Sequence, residues 1–138
     1  QVHERIPDDN PVKSRTHKQN MSKAVGSCAE KLAIAFLKSK KLTILATNYH
    51  SRWGEIDVIA HEGDILAFIE IRYRQSTEYG DAWETVNRNK QQRIIKTALY
   101  FLSCHPQYNQ HNQRFDLISM TGDLNKPHIE WFKSAFTA

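Results

Sequence analysis

Cysteine, proline and glycine are all scarce in this chain, at two, four and five of 138 residues. Two cysteines build no disulfide framework, and Cys28 and Cys104, both set in apolar helical patterns, are expected as reduced core thiols of a cytosolic, cytoplasmic protein. So little Gly and Pro excludes collagen-like and low-complexity chains, and 40% hydrophobic with 25% charged residues is the composition of a globular domain. Long apolar runs are missing too. A run such as residues 65–69 is strand-sized, whereas a membrane helix needs about 20 such residues, so no membrane is expected as partner. Nor does one sign of charge dominate: 19 Lys and Arg against 15 Asp and Glu leave +4, which is compatible with nucleic acid but names no partner. Residues 1–20 hold Pro7 and Pro11 and no apolar stretch of the secretory kind, so they are expected as a flexible polar tail, with one domain over 21–138.

What is present is strong periodicity. Val25, Cys28, Ala29, Leu32, Ala33 and Phe36 recur at helical spacing, predicting a helix over 22–41 with Ser22 as its cap. Glu30 falls between Ile34 and Leu37 on the helical wheel, away from the polar arc of Ser27, Lys31 and Lys38, so this carboxylate points partly inward. A strand follows over 42–49. Residues 54–60, GEIDVIA, alternate strictly and place Glu55, Asp57 and Ile59 on one face. After a turn, 65–74, ILAFIEIRYR, forms the next strand with Leu66, Phe68, Glu70, Arg72 and Arg74 on one side. A hairpin closed around Glu62 and Gly63 pairs Ala60 with Ile65, sets Glu55 opposite Glu70, and leaves Asp57 and Glu70 as diagonal neighbours. A second helix is expected over 83–103, stopped by His105 and Pro106; Arg88, Lys90, Arg93 and Lys96 lie in its first half without an acid among them. Strands over 114–120, RFDLISM, and 128–132 complete the chain.

Two carboxylates on neighbouring positions of a hairpin, with a third available from a helix, make the oxygen-rich site that Mg²⁺ or Mn²⁺ prefers. Such a cation polarises a phosphodiester, and Arg72, two residues beyond Glu70 on the same face, reaches a phosphoryl oxygen held there. The plainer alternative for Asp57 and Glu70, a solvent-facing pair, leaves like charges in repulsion. For Arg74, Arg88, Lys90, Arg93 and Lys96 the alternatives are phosphate contact and a solvated face. Glu55 is expected to pair with Arg72 or Arg52. Trp53, Tyr73, Tyr79 and Trp83 read as core first and as base-stacking groups second. Cys104, His105 and His111 match no zinc spacing.

Gly26, Glu30, Asn48, the GEIDVIA and FIEIRYR strands, Lys90 within NKQQRIIKTALYFL and the RFDLISM strand together resemble the YraN family of bacterial proteins, over residues 22–138. That family lies in the PD-(D/E)xK, restriction-endonuclease-like superfamily. The resemblance implies an α/β fold with an αβββαβ core, a mixed central sheet flanked by helices, similar to archaeal Holliday-junction resolvases. It implies Asp57 at the "PD" position, Glu70 and Arg72 at the "ExK" positions, and Glu30 as the first-helix acid, with Mg²⁺ or Mn²⁺ on Asp57, Glu70 and Glu30. Arg72 stands where the superfamily has Lys. Because Arg stays protonated it cannot serve as general base, so it acts as an electrostatic clamp, with Lys90 as the substitute cation. The expected activity is a metal-dependent endonuclease, a phosphodiesterase acting on nucleic acid, of the DNA kind, branched or single-stranded. The alternative is a non-catalytic nucleic-acid or protein interaction module that retains the nuclease fold. Resolvase-like relatives often work as symmetric dimers, so a homodimer is a further expectation.

Overall fold

The computed structural model describes residues 17–75 and 86–138, with side chains from residue 24 onward. Helix α1 (His17–Ser39) leads into strands β1 (Thr43–Ser51), β2 (Gly54–Glu62) and β3 (Ile65–Arg74); helix α2 (Arg88–Cys104) then crosses to β4 (Asn112–Thr121) and β5 (His128–Phe136). The five strands lie side by side in chain order. All neighbours are antiparallel except β3 and β4, which α2 connects as a parallel pair. This is the mixed α/β architecture with an αβββαβ core.

Each face of the sheet carries one helix. Ala29, Ala33 and Leu37 of α1 pack on Val58, Ala60, Ala67, Ile69, Ile118 and Met120. Small residues on both sides of that contact let the helix lie close. Ile94, Ala98 and Phe101 of α2 cover the other face, against Ile59, Leu66, Phe68 and Phe115. Strand β3 is therefore buried on both sides, which is why its sequence reads as a nearly continuous apolar run rather than an alternation.

Local chemistry sets the helix ends. Lys41, with φ of 74°, closes α1: its N–H donates to the Lys38 carbonyl at 3.0 Å and that of Leu42 to Leu37 at 3.1 Å, a Schellman stop made without glycine. Asn87 caps α2, its side chain accepting the Lys90 N–H at 2.9 Å. That cap starts α2 at Arg88 instead of residue 83 and puts Lys90 in the first turn. At the other end, α1 begins at His17, so Ser22 lies within the helix and not at its start; the rest of the expected tail, residues 1–16, and the aromatics Tyr79 and Trp83 lie outside the described residues.

Three further expectations are corrected. The β2–β3 hairpin turns through Gly63 and Asp64 only, pairing Glu62 with Ile65, Ala60 with Ala67 and Ile59 with Phe68. Gly63, with φ of 60°, supplies the positive φ that a two-residue turn of the type II′ kind needs, so the whole ladder shifts by two residues from a wider turn. Cys28 and Cys104 are exposed; Cys28 falls beside the buried stripe of Ala29, Ala33 and Leu37, and Cys104 ends α2. Strand β5 runs to Phe136 because Asp116, fully buried, draws it in. The Asp116 carboxylate accepts from Arg114 Nε, Trp131 Nε1 and the Ser134 N–H at 2.9 to 3.1 Å. Among the described residues no helix is long and apolar enough to cross a membrane.

Candidate active site

The corrected register brings the two hairpin acids face to face. Pairing runs up to Val58 with Ile69, and the next step sets Asp57 directly opposite Glu70 instead of diagonally. There the Asp57 carboxylate takes over the ladder's role, its Oδ2 accepting the N–H of Ile71 at 2.8 Å. Burial pushes the Asp57 carboxyl well above the usual carboxylate range, the negative charge of Glu70 raises it further, and the Ile71 N–H opposes the shift. A hydrogen bond between the two carboxyl side chains also favours the protonated form.

Glu70 is the more enclosed partner, only 5% exposed. Lys90 of α2 places Nζ 2.6 Å from its Oε2, and Arg72 places Nε 3.7 Å from the same oxygen. Lys90 reaches it because Asn87 fixes the start of the helix, with the Gln91 side chain also donating to the Val86 carbonyl at 2.9 Å. Of the residues expected to line a phosphate track, Lys90 is thus turned into the site. Arg88 and Arg93 are exposed on α2, and half-buried Arg74 ends β3.

Glu30 belongs to the same region at one remove. The Asn48 amide donates to both its carboxylate oxygens, at 2.9 and 2.7 Å. Asn48 sits between the pairs Thr47 with Val58 and Tyr49 with Ile56, hence across from Asp57. Its φ of 50° is a left-handed conformation that Asn tolerates better than most residues. Two polar groups thus meet in register at Asn48 and Asp57: Glu30 with Asn48 on the side of α1, and Asp57, Glu70 and Lys90 on the side of α2. A single cluster of three acids is not what forms: among the described residues, no group of three His, Cys, Asp or Glu side chains converges as a metal shell. Glu55 is exposed and meets His50 Nε2 at 3.0 Å rather than an arginine, and its charge adds to those that raise Asp57. Sequence reasoning missed the role of Asn48, whose one local signal is a polar amide in a β-rich run, and the cap Asn87.

Mg²⁺ is commonly held by one or two carboxylates plus water and substrate phosphate; Asp57 and Glu70 could supply that pair once Asp57 gives up its proton and Glu70 its contact with Lys90.

Fold and site together define a mixed α/β protein whose central hairpin presents an acid pair to the start of a basic helix. Residues 29–120 match the uncharacterised protein family UPF0102, and the chain belongs to that family. Similar relatives include the UPF0102 protein of Stutzerimonas stutzeri, 37% identical over 115 residues, covering 83% of this chain and 96% of that protein. The UPF0102 protein of Francisella tularensis subsp. novicida is 41% identical over 113 residues, covering 81% and 93%. That of Acinetobacter baumannii strain ACICU is 37% identical over 129 residues, covering 85% and 97%. The matched span contains Glu30, Asn48, Asp57, Glu70, Arg72 and Lys90.

Proposed function

We propose that the protein is a metal-dependent endonuclease of the PD-(D/E)xK, restriction-endonuclease-like kind, acting on branched or single-stranded DNA. The observation that carries this reading is the opposed Asp57–Glu70 pair with Lys90 and Arg72 gathered at one Glu70 oxygen. Two acids set face to face inside a fold need a proton or a cation to offset their charge, and a cation-binding role gives that arrangement a use.

Asp57 and Glu70 would hold Mg²⁺ or Mn²⁺, which when bound polarises the phosphodiester and offsets charge on the leaving oxygen. Asn48, across from Asp57, holds both carboxylate oxygens of Glu30, which makes Glu30 a positioning group. Arg72, permanently protonated, contributes charge stabilisation to a phosphoryl oxygen. Lys90 brings an ammonium group to the site from a different element and so stands in for the superfamily lysine as a cation. By exchanging its contact with Glu70 for the phosphate, it completes the electrostatic clamp.

The test is a cleavage screen with duplex, single-stranded, flap and four-way-junction DNA and with RNA, in Mg²⁺ and in Mn²⁺, using Asp57→Asn as the contamination control. Cleavage of flap, junction or single-stranded DNA that disappears in Asp57→Asn is expected. No cleavage of any substrate, or activity that survives the substitution, would sink the nuclease reading. The 2.6 Å contact between Lys90 and Glu70 favours one rival, because it already neutralises Glu70 without a cation. In that rival the chain binds nucleic acid and cuts nothing.

A further inference from the structure

Beside the acid pair, α2 and the β1–β2 turn build a second feature, and we infer that it is a stacking site for the unpaired bases of single-stranded DNA. The inference rests on the DNA reading of the neighbouring site and extends it to substrate form. Tyr100 is 38% exposed and Leu99 60%, large apolar groups on the outer face of a helix that has no acid between Arg88 and Cys104. Trp53, at the tip of the β1–β2 turn, meets Tyr100 edge-on at 6.3 Å between ring centroids. The Arg52 guanidinium lies 4.6 Å from the Trp53 ring centroid. Arg93 and Lys96 are exposed along the same helix.

The turn is held rigidly against α2. The hydroxyls of Ser51 and buried Thr97 meet at 2.7 Å, and the Trp53 N–H donates to Ser51 Oγ at 3.1 Å. Gly54 allows the approach: a Cβ there would stand 3.3 Å from the Arg93 Cβ. Glu55, on β2 just past this turn, is the one acid near it among the described residues and meets His50 Nε2 at 3.0 Å. The result is a preorganised aromatic corner in a positive setting, running from Lys90 to Tyr100 over about 15 Å of helix at the usual rise per residue.

Charge complementarity and the exposed Tyr100 ring, with half-buried Trp53 beside it, together select the occupant. Cations alone would suit any phosphate backbone, but in a duplex the faces of the bases are covered by their neighbours. An exposed ring beside a cation track is useful only to bases that have left the stack. An unpaired strand passing the acid pair would lay its phosphates on Arg93 and Lys96 and its bases on Tyr100 and Trp53.

The test is fluorescence anisotropy of labelled oligo(dT) and of a duplex of equal length, in EDTA so that nothing is cut, with oligo(rU) as a further arm. Wild-type protein is expected to bind oligo(dT) more tightly than duplex or oligo(rU). Tyr100→Leu should weaken oligo(dT) binding about tenfold and leave duplex binding unchanged, with Tyr100→Phe retaining wild-type affinity. Lys96→Ala, at an exposed position where the fold is not at risk, should lower the salt slope on oligo(dT) by about 0.7. Tighter binding to duplex, or Tyr100→Leu and Lys96→Ala indistinguishable from wild type on oligo(dT), overturns the stacking site while leaving the DNA reading intact, and tighter binding to oligo(rU) overturns the choice of DNA as its occupant. Absence of binding to every DNA removes both.

Discussion

At the scale of single residues, Asp57 is the group whose environment most opposes its charge. Its carboxyl is raised by burial and by Glu70, so the native state holds a proton that the unfolded state has released. The stabilisation this gives is fully present at acid pH and is lost as pH rises through the raised value. Asp57→Asn keeps an acceptor for the Ile71 N–H and removes the charge, so it should be more stable than wild type at pH 7 to 8. The gain is on the order of 1 kcal/mol, about 3 to 6 °C in melting temperature for a chain of this size, and should vanish near pH 3. Melting curves across pH check it; a mutant less stable than wild type at pH 8 contradicts it. Lys90 behaves oppositely. Lys90→Met removes the 2.6 Å partner of a carboxylate that is 5% exposed and should cost about 1 to 2 kcal/mol by urea denaturation, with Lys90→Arg largely neutral. Asp57, Glu70 and Arg72 were legible because strand alternation displays a residue's face. The pairing of Lys90 with Glu70, and of Asn48 with Glu30, was not, because each joins elements far apart in sequence, and local periodicity carries no such information.

At the scale of elements, the strands and both helices follow from pattern, while their ends and pairing follow from individual turn and cap residues. The helical run from 83 looked continuous through Trp83 and Val86, yet the Asn87 side chain captures the Lys90 N–H and starts α2 at Arg88. Val86, left outside, is buried against Leu117. The hairpin register depended on whether the turn took two residues or four, and one positive φ at Gly63 decided it. A similar single-residue dependence holds at β5, which reaches Phe136 through a strand irregularity fastened by Asp116. Asp116→Ala leaves half-buried Arg114 with Glu62 alone, at 3.5 Å, and takes the acceptor from Trp131 Nε1 and the Ser134 N–H. It should cost about 3 kcal/mol or more, read from the urea midpoint at unchanged slope. A loss under 1 kcal/mol would mean that β5 is held by its apolar contacts alone.

At the scale of the whole molecule, the question is where the charge sits. A net +4 decides nothing by itself, but the fold separates the signs: Asp57 and Glu70 are drawn into the sheet with Lys90, while Arg52, Arg88, Arg93 and Lys96 stay exposed on α2 and the adjoining turn. Four cations released from their surroundings to meet four phosphates would give a single-strand salt slope near −3, at about 0.7 per phosphate. Between 50 and 200 mM KCl that slope weakens binding roughly fiftyfold, a change easily read by anisotropy. Replacing Arg88 and Arg93 by Ala should bring the slope to about −1.4, with the loss of affinity concentrated at low salt. The acid pair then supplies an internal control. Asp57→Asn alters one buried site and none of these exposed cations, so without divalent metal its slope should match that of wild type. With Mn²⁺ present the two should separate, since a cation held by Asp57 and Glu70 adds positive charge beside the strand only where both acids remain. Identical binding of wild type and Asp57→Asn in Mn²⁺ and in EDTA would leave the acid pair without a part in nucleic-acid recognition, and a slope near zero would leave the basic helix without one.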